Sequence, residues 1–164
     1  MKIVKAELKD VPAFQEIYSH YVLNSTVTLE DIPPTVAEME ERFLKVINKG
    51  GIWIVAKDAS DYIVGYAYYS QYRERFGYRF TVENSIYIRD GLCAKGTGTL
   101  LLEHLISSAV TSGMKSIIAV ISAGSKASIA LHKKLGFENA GLLQSAGFKF
   151  DQWVDVLFMQ KLTN

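Results

Sequence analysis

The chain reads Cys-Ala-Lys-Gly-Thr-Gly-Thr at residues 93–99, between an apolar strand pattern and a leucine-rich helix pattern. Glycine adopts positive φ and lets another molecule approach the main chain closely, so Gly96 and Gly98 allow successive amides to point into one concavity. The helix that follows adds its free N–H groups and the positive end of its dipole. The loop therefore predicts a site for a phosphorylated ligand, although the same residues are also typical of a simple tight corner between a strand and a helix.

Two familiar phosphate loops do not fit this spacing. A dinucleotide fingerprint needs a small residue where the chain has Leu101, and an acidic residue closing the next strand pattern, 116–121, which ends without one. A nucleotide triphosphate loop ends in Gly-Lys-Ser/Thr, whereas Gly98 is followed by Thr99 and Leu100. The remaining interpretation is a shorter loop that holds a pyrophosphate of the kind that coenzyme A carries.

Composition narrows the class of protein. With 164 residues and 49% hydrophobic content, the chain is long enough for one well-buried core, so we expect a single domain over 1–164. A net charge of +1 predicts neither a nucleic acid nor a membrane partner, and points to a small molecule. Cys93 is the only cysteine, which suits a reducing compartment. No apolar run approaches the roughly 20 residues of a membrane span. We therefore expect a cytoplasmic protein, and we predict no metal site.

Hydrophobic periodicity and capping signals predict the order of elements. Asp10 precedes one helix pattern, and Thr35 with Glu38 forms a capping box for a second. The predicted strands are 2–8, 52–57, 63–71, 78–88, 116–121, and segments near 137–143 and 153–161, with further helices after the glycine loop and over 126–135. The three central strands are joined by turns too short for a helix, so they should pair antiparallel. The order β-α-α-β-β-β-α-β-α-β-β indicates a mixed sheet with helices on both faces.

Several separated motifs accompany the loop. They are Thr-Val-Glu-Asn-Ser-Ile-Tyr-Ile at 81–88, Ala-Ser-Ile-Ala-Leu-His at 127–132, Leu-Gly-Phe at 135–137 and Ala-Gly-Phe-Lys at 146–149, followed by Trp153, Asp155 and Phe-Met-Gln at 158–160. In these residues the chain resembles the GNAT superfamily of N-acetyltransferases, whose acetyl-CoA loop Gln/Arg-x-x-Gly-x-Gly/Ala corresponds to 93–98 except at the first position. It is most similar, nearly end to end, to the phosphinothricin and methionine sulfoximine N-acetyltransferases.

The resemblance implies a fold and an activity. The fold is α/β (mixed α+β), with a central, mostly antiparallel sheet of about seven strands flanked by about four helices. The activity is transfer of an acetyl group from acetyl-CoA to the primary amine of a small amino acid or analogue.

Glu83 is the candidate general base. A protonated amine has no lone pair, so a group must take its proton before the amine attacks a thioester. Glu83 lies in an apolar strand pattern, where partial burial raises a carboxyl pKa toward neutrality. The strand alone favours the other interpretation, a surface glutamate paired with Arg79. The match of Thr81-Val82-Glu83 to the family's catalytic glutamate favours the base.

His132 is the second candidate. Ser125, Ser128 and His132 fall within about 60° of one another on a helical wheel. The serines would then bond the pantetheine arm, while the histidine passes a proton to the leaving sulfur or relays one from the amine. A half-exposed histidine beside Lys133 is the ordinary alternative.

The resemblance also implies further coenzyme contacts. The main-chain groups of Ile86, Tyr87 and Ile88 should meet the pantetheine. The pyrophosphate should meet Ala94, Lys95, Gly96, Thr97, Gly98 and Thr99. Lys134 should lie near the phosphate-bearing end of the coenzyme, although an ordinary solvated lysine fits as well.

Arginines crowd the turn before Glu83. Arg73, Arg75 and Arg79, with Tyr78, suit an acceptor that bears a carboxylate, although a solvated arginine-rich turn is the alternative. By resemblance, the substrate-binding segment covers Arg73, Glu74 and Arg75. Leu29 stands where many members have an aromatic residue that shapes the pocket.

Three other positions also depart from the family pattern. Cys93 replaces its usual Arg or Gln, Asn84 stands where relatives often have histidine, and Ser125 replaces an asparagine that contacts the coenzyme arm. The changes at Cys93 and Ser125 leave open an acyl-CoA sensor without turnover. A protein N-terminus or a polyamine is a further possible acceptor, although the arginines disfavour a polyamine. We expect a homodimer, because the C-terminal segment with Trp153 and 156–158 is apolar and because related enzymes often dimerise.

Overall fold

The computed structural model describes residues 1–93 and 96–163. The predicted coenzyme contacts Ala94 and Lys95 lie outside the described residues. The strands are β1 (Lys2–Lys5), β2 (Ile52–Lys57), β3 (Ile63–Gln71), β4 (Thr81–Ile88), β5 (Ser116–Ser122), β6 (Glu138–Lys149) and β7 (Gln152–Leu162). The helices are α1 (Val11–Asn24), α2 (Val36–Asn48), α3 (Thr97–Thr111) and α4 (Lys126–Lys134).

Over the described residues the seven strands form one sheet in the order β1-β2-β3-β4-β5-β7-β6. β4 and β5 are parallel, and every other neighbouring pair in that sheet is antiparallel. The connection from β4 to β5 contains α3, as a parallel crossover requires. The predicted element order and the mixed, mostly antiparallel sheet are confirmed.

Local signals place several element boundaries. Thr35 Oγ1 accepts from the Glu38 amide at 3.2 Å, while the Glu38 carboxylate accepts from the Thr35 amide at 2.7 Å, which starts α2 as predicted. Other boundaries moved. The predicted strand from residue 78 begins only at Thr81, because Phe76–Tyr78 form a 3₁₀ turn. β6 extends past residue 143 to Lys149, since it pairs with β7 along that length.

Each face of the sheet carries its own apolar core. On the face covered by α1 and α2, Phe14, Trp53 and Tyr66 are each at most 1% exposed. On the face covered by α3 and α4, Leu101 and Met159 are fully buried. Burying each such side chain contributes about 1.5–3 kcal/mol, so both helix layers are held firmly against the strands. No helix among the described residues is long and apolar enough to cross a membrane.

The sheet opens between its two parallel strands. β4 and β5 pair only from Thr81↔Ser116 to Asn84↔Ala119, although β4 continues to Ile88 and β5 to Ser122. Past Asn84, the β5-facing edge of β4 therefore lines a gap.

Candidate active site

The gap between β4 and β5 is a cleft lined by predicted site residues. Its walls include Asn84, Ser85 and Ile86 of β4, with Ser125, Ser128 and His132 from α4 and the turn before it. The helical-wheel prediction that these two serines and His132 share a face is thus confirmed.

Hydrogen-bond alternation decides which main-chain groups face the cleft. The Arg89 amide donates to Val64 O at 2.8 Å and the Tyr72 amide to Thr81 O at 2.9 Å, so odd-numbered residues of β4 bond to β3. The main-chain groups of Ile86 and Ile88 therefore point into the gap, whereas those of Tyr87 face β3. The Ile88 carbonyl already accepts from the Tyr21 hydroxyl at 2.6 Å. Among the three predicted main-chain contacts, Ile86 is therefore the one whose N–H and C=O both point into the cleft and are not engaged by Tyr21.

The N-terminus of α3 packs against α4, the helix that lines this cleft, and has free amides. Gly96 is its N-cap, with φ of 84°, and no side chain of the residues that the structure describes caps the helix. The Leu100 amide donates to Gly96 O, which leaves the amides of Thr97, Gly98 and Thr99 without intrahelical acceptors. A helix start of this kind attracts anions.

The two loop glycines serve different purposes. Gly96 needs glycine for its left-handed conformation, as predicted. Gly98 has no positive φ. A Cβ there would lie 3.2 Å from Leu131 Cδ2, so it lets α3 pack closely on α4. Lys134, also on α4, places Nζ 3.4 Å from Thr99 Oγ1, and so brings a cation to the start of α3. These residues fit a diphosphate-bearing coenzyme, with its anionic part at α3 and its arm along β4.

Glu83 lies on the opposite face of β4 from His132. Val82 packs into the core under α3, and Asn84 bonds to α4, so Glu83 between them faces the α1 and α2 side. It is half-buried, with Ser70 of β3 as its cross-strand neighbour. Burial raises the pKa of the Glu83 carboxyl, and the Arg73 charge partly opposes that rise. A raised pKa suits a group that must accept a proton near neutral pH.

His132 is buried rather than half-exposed, and both of its ring nitrogens are engaged. Nδ1 lies 2.8 Å from Ser128 O, and Nε2 lies 2.9 Å from Asn84 Nδ2. Because the carbonyl requires a donor, Nδ1 carries the proton and Nε2 accepts from the Asn84 amide. Burial lowers the pKa of His132, so the neutral ring is favoured. This arrangement positions the ring and leaves it no proton to give from Nε2.

The arginine-rich turn differs from the prediction of three guanidinium groups beside the base. The Arg79 guanidinium packs 4.0 Å from the Phe76 ring centroid and donates to Phe76 O. Among the described residues it forms no ion pair with Glu83. Arg73, which lies over Tyr72, is the arginine whose charge acts on Glu83. Glu74 pairs with Lys49 at 2.7 Å, and both Arg75 and Tyr78 are exposed.

Lys149, a buried lysine that is not among the predicted site residues, holds the loop between α1 and α2. Lys149 Nζ donates to Ser25 O at 2.7 Å and to Thr28 O at 2.8 Å. In this loop Val27 lines the cleft, and Leu29 contacts β6, where a Cβ on Gly147 would lie 2.5 Å from Leu29 Cδ1. The loop thus forms a wall next to the cleft, fixed by partners more than a hundred residues away in sequence.

Comparisons with known proteins agree with this geometry. The profile of the Acetyltransferase (GNAT) domain matches residues 3–158. Phosphinothricin N-acetyltransferase of Alcaligenes faecalis is 40% identical over 156 residues, 94% of this chain and 79% of that protein. L-Methionine sulfoximine/L-methionine sulfone acetyltransferase of Pseudomonas aeruginosa is 39% identical over 155 residues, 94% of this chain and 90% of that protein. A GNAT superfamily phosphinothricin acetyltransferase from Sinorhizobium meliloti, solved in complex with acetyl-CoA, matches with a TM-score of 0.97 at 40% identity, covering 99% of this chain and 88% of that one.

A mixed sheet opened between two parallel strands, with the free amides of α3 next to the helix that lines the opening, fits an acyl-CoA-dependent transferase, the class that the matching profile and relatives define. The chain belongs to the GNAT acetyltransferase family. It is an acetyl-CoA-dependent N-acyltransferase, and the resemblance, the fold class and the coenzyme predicted from its sequence are confirmed.

Proposed function

We propose that the protein acetylates the primary amine of an amino acid or a close analogue, with Glu83 as the general base. The observation that carries the proposal is the position of Glu83. Its half-buried carboxyl stands on the face of β4 opposite α4, next to the residues that line the cleft. The names of the relatives support an amino acid analogue as the acceptor.

The residues divide the reaction between them. Acetyl-CoA supplies an acetyl thioester, whose carbonyl carbon gains a bond to nitrogen and loses its bond to sulfur. Glu83 takes one proton from the ammonium and returns it to solvent, and the nitrogen's second proton ends on the sulfur. The free amides at the start of α3, with Lys134, hold the diphosphate, and the main chain of Ile86 holds the arm. Arg73 holds the acceptor's carboxylate near Glu83.

His132 is assigned a positioning role. Its contacts to Ser128 O and the Asn84 amide fix α4 against β4 at the cleft. His132→Gln is therefore expected to lower kcat/KM less than tenfold and to leave the acid limb of the pH profile in place. A loss as large as that of Glu83→Gln, or a displaced acid limb, would restore the proton-transfer role.

Thiol release separates an enzyme from a sensor. We expect coenzyme A release from acetyl-CoA to depend on an added amino acid, measured across a panel that includes phosphinothricin, L-methionine sulfone, spermidine and an N-terminal peptide. Tight acetyl-CoA binding without acceptor-dependent release would support the sensor, and release with the peptide or spermidine alone would replace the amino acid as acceptor.

We further propose that 1–164 acts as one domain, as a cytoplasmic homodimer. The edge strand β6 is exposed along most of its length, and the turn between β6 and β7 carries large apolar side chains. Trp153 is 68% exposed and packs on Phe148, with ring centroids 4.9 Å apart, and Phe150 lies nearby in the turn. An exposed edge strand with large apolar side chains promotes aggregation unless another chain covers it. Sedimentation equilibrium should give twice the mass of the chain, and Trp153→Asp should reduce the measured mass to that of one chain. A single-chain mass for the native protein at micromolar concentration contradicts the dimer.

The cytoplasmic location is supported by the free thiol of Cys93, which suits a reducing compartment.

A further inference from the structure

The free end of β4 is held by a tyrosine of α1. The hydroxyl of Tyr21 donates to Ile88 O at 2.6 Å. Tyr21 is half-buried, and its ring packs edge-on against Tyr87, with ring centroids 5.5 Å apart. Burial raises the pKa of the Tyr21 hydroxyl, so it stays protonated and remains a hydrogen-bond donor near neutral pH.

The same helix contacts the residues that follow β4. Arg89 Nη1 lies 2.8 Å from the carboxylate of Glu16, and Asp90 Oδ1 lies 3.7 Å from His20 Nε2. The carboxylate in each of these pairs is exposed, so each pair contributes little by itself. The half-buried hydrogen bond of Tyr21 is therefore the contact best able to hold the end of β4 against α1.

This segment joins the two parts of the coenzyme site. β4 loses its β5 partner after Asn84, so the edge that carries the main-chain groups of Ile86 and Ile88 has no paired strand on that side. The chain then leads to Gly96, the N-cap of α3. The coenzyme arm fits the first part and the diphosphate fits the second. A ligand that must reach both parts binds tightly only where their separation is already fixed.

We propose that Tyr21 is a positioning residue for acetyl-CoA. By holding Ile88 against α1, its hydroxyl fixes the arm-binding edge of β4 relative to the start of α3, so that the thioester and the diphosphate are bound together. The inference rests on the coenzyme placement given in the proposed function. Tyr21 acts through Ile88 and not on the reacting atoms. Loss of its hydroxyl should therefore weaken binding of the whole coenzyme and spare both the chemical step and a ligand that carries the arm alone.

The first test removes the hydroxyl and keeps the ring. Tyr21→Phe is expected to raise the Kd for acetyl-CoA, measured by titration calorimetry, about three- to tenfold, the range that corresponds to one lost hydrogen bond. Tyr69→Phe is the matched control, since the Tyr69 hydroxyl donates to Ser112 Oγ at 3.4 Å, at the C-terminal end of α3. The control should change Kd less than about twofold. An unchanged Kd in Tyr21→Phe, or an equal rise in Tyr69→Phe, overturns the proposal.

The second test removes the diphosphate from the ligand. S-acetylpantetheine has the same thioester and arm without the diphosphate. Its kcat/KM should fall less than about twofold in Tyr21→Phe, as should kcat at saturating acetyl-CoA. Equal losses of kcat/KM for the two thioesters overturn the proposal, because a general distortion of β4 would affect both.

Lys134→Met provides the reference for the diphosphate end, because Lys134 Nζ lies beside Thr99 at the start of α3. This variant should bind acetyl-CoA more weakly and use S-acetylpantetheine as well as the native enzyme does. If Lys134→Met weakens acetyl-CoA binding and Tyr21→Phe does not, the positioning role is wrong and the coenzyme placement stands. If neither variant weakens it, the coenzyme placement itself fails, and the positioning role with it.

Discussion

Glu83→Gln isolates the proposed proton acceptor, because glutamine has the shape of glutamate and cannot take the proton. General base catalysis typically contributes about 10²–10⁴ in rate. The structure argues for a loss within that range, since His132 lies on the other face of β4 with Nε2 occupied by Asn84 and cannot replace the base. The expected fall in kcat/KM at pH 7 corresponds to roughly 3–5 kcal/mol of transition-state stabilisation.

The pH dependence gives the variant a distinctive signature. In the native enzyme, kcat/KM should fall as pH drops through the Glu83 pKa, which burial holds above its ordinary value of 4.5. In the variant that limb disappears, and the rate should rise about tenfold per pH unit with the free-amine fraction, so that the deficit shrinks at high pH.

Stability provides the control for this experiment. Burial penalises the ionised carboxylate, so the raised folded-state pKa of Glu83 costs stability as pH rises above the unfolded-state pKa and costs none below it. Glu83→Gln should keep or increase the free energy of unfolding at pH 7. Glu103→Gln, an exposed change on α3, should leave turnover unaltered. The reasoning is refuted if Glu83→Gln retains a third or more of native kcat/KM at pH 7, or if its kcat/KM levels off at the same pH as that of the native enzyme.

Three further substitutions test the surroundings of the site. Gly96→Ala forces a side chain into φ of 84°, so it should lower the unfolding free energy by about 1–2 kcal/mol and raise the KM for acetyl-CoA, measured by urea denaturation and steady-state kinetics. Lys149→Met leaves two loop carbonyls without their donor and should destabilise the protein by about 1–3 kcal/mol; an unchanged urea midpoint would show that the loop is held otherwise. Gly147→Ala pushes the exposed end of Leu29 aside, so the KM for the acceptor should change while the KM for acetyl-CoA does not; a change confined to acetyl-CoA would count against the loop as a wall of the acceptor site.

The fold was largely predictable because its signals are local. The capping box of Thr35 with Glu38 and the short turns between the central strands each depend on neighbours in sequence. Period-two alternation also placed Glu83 in the middle of a strand. The boundary near Tyr78 was missed because a 3₁₀ turn and a strand start share the same aromatic and arginine-rich composition.

The site was predictable only in part, since much of it depends on distant contacts. The sequence suggested that Ser125, Ser128 and His132 share one side of a helix, and they do. It contained no signal that Asn84 would hydrogen-bond to His132, 48 positions later. Nor did it indicate that Lys149 would donate to carbonyls of a loop 121 and 124 positions earlier.

The early end of pairing between β4 and β5 has a kinetic consequence. Acetyl-CoA and the acceptor reach the gap from opposite faces of the sheet, so neither has to leave before the other binds. Both should be bound when the acyl group moves, so initial-rate plots at varied concentrations of each should intersect, and no acetylated protein should accumulate on Cys93 or any other residue.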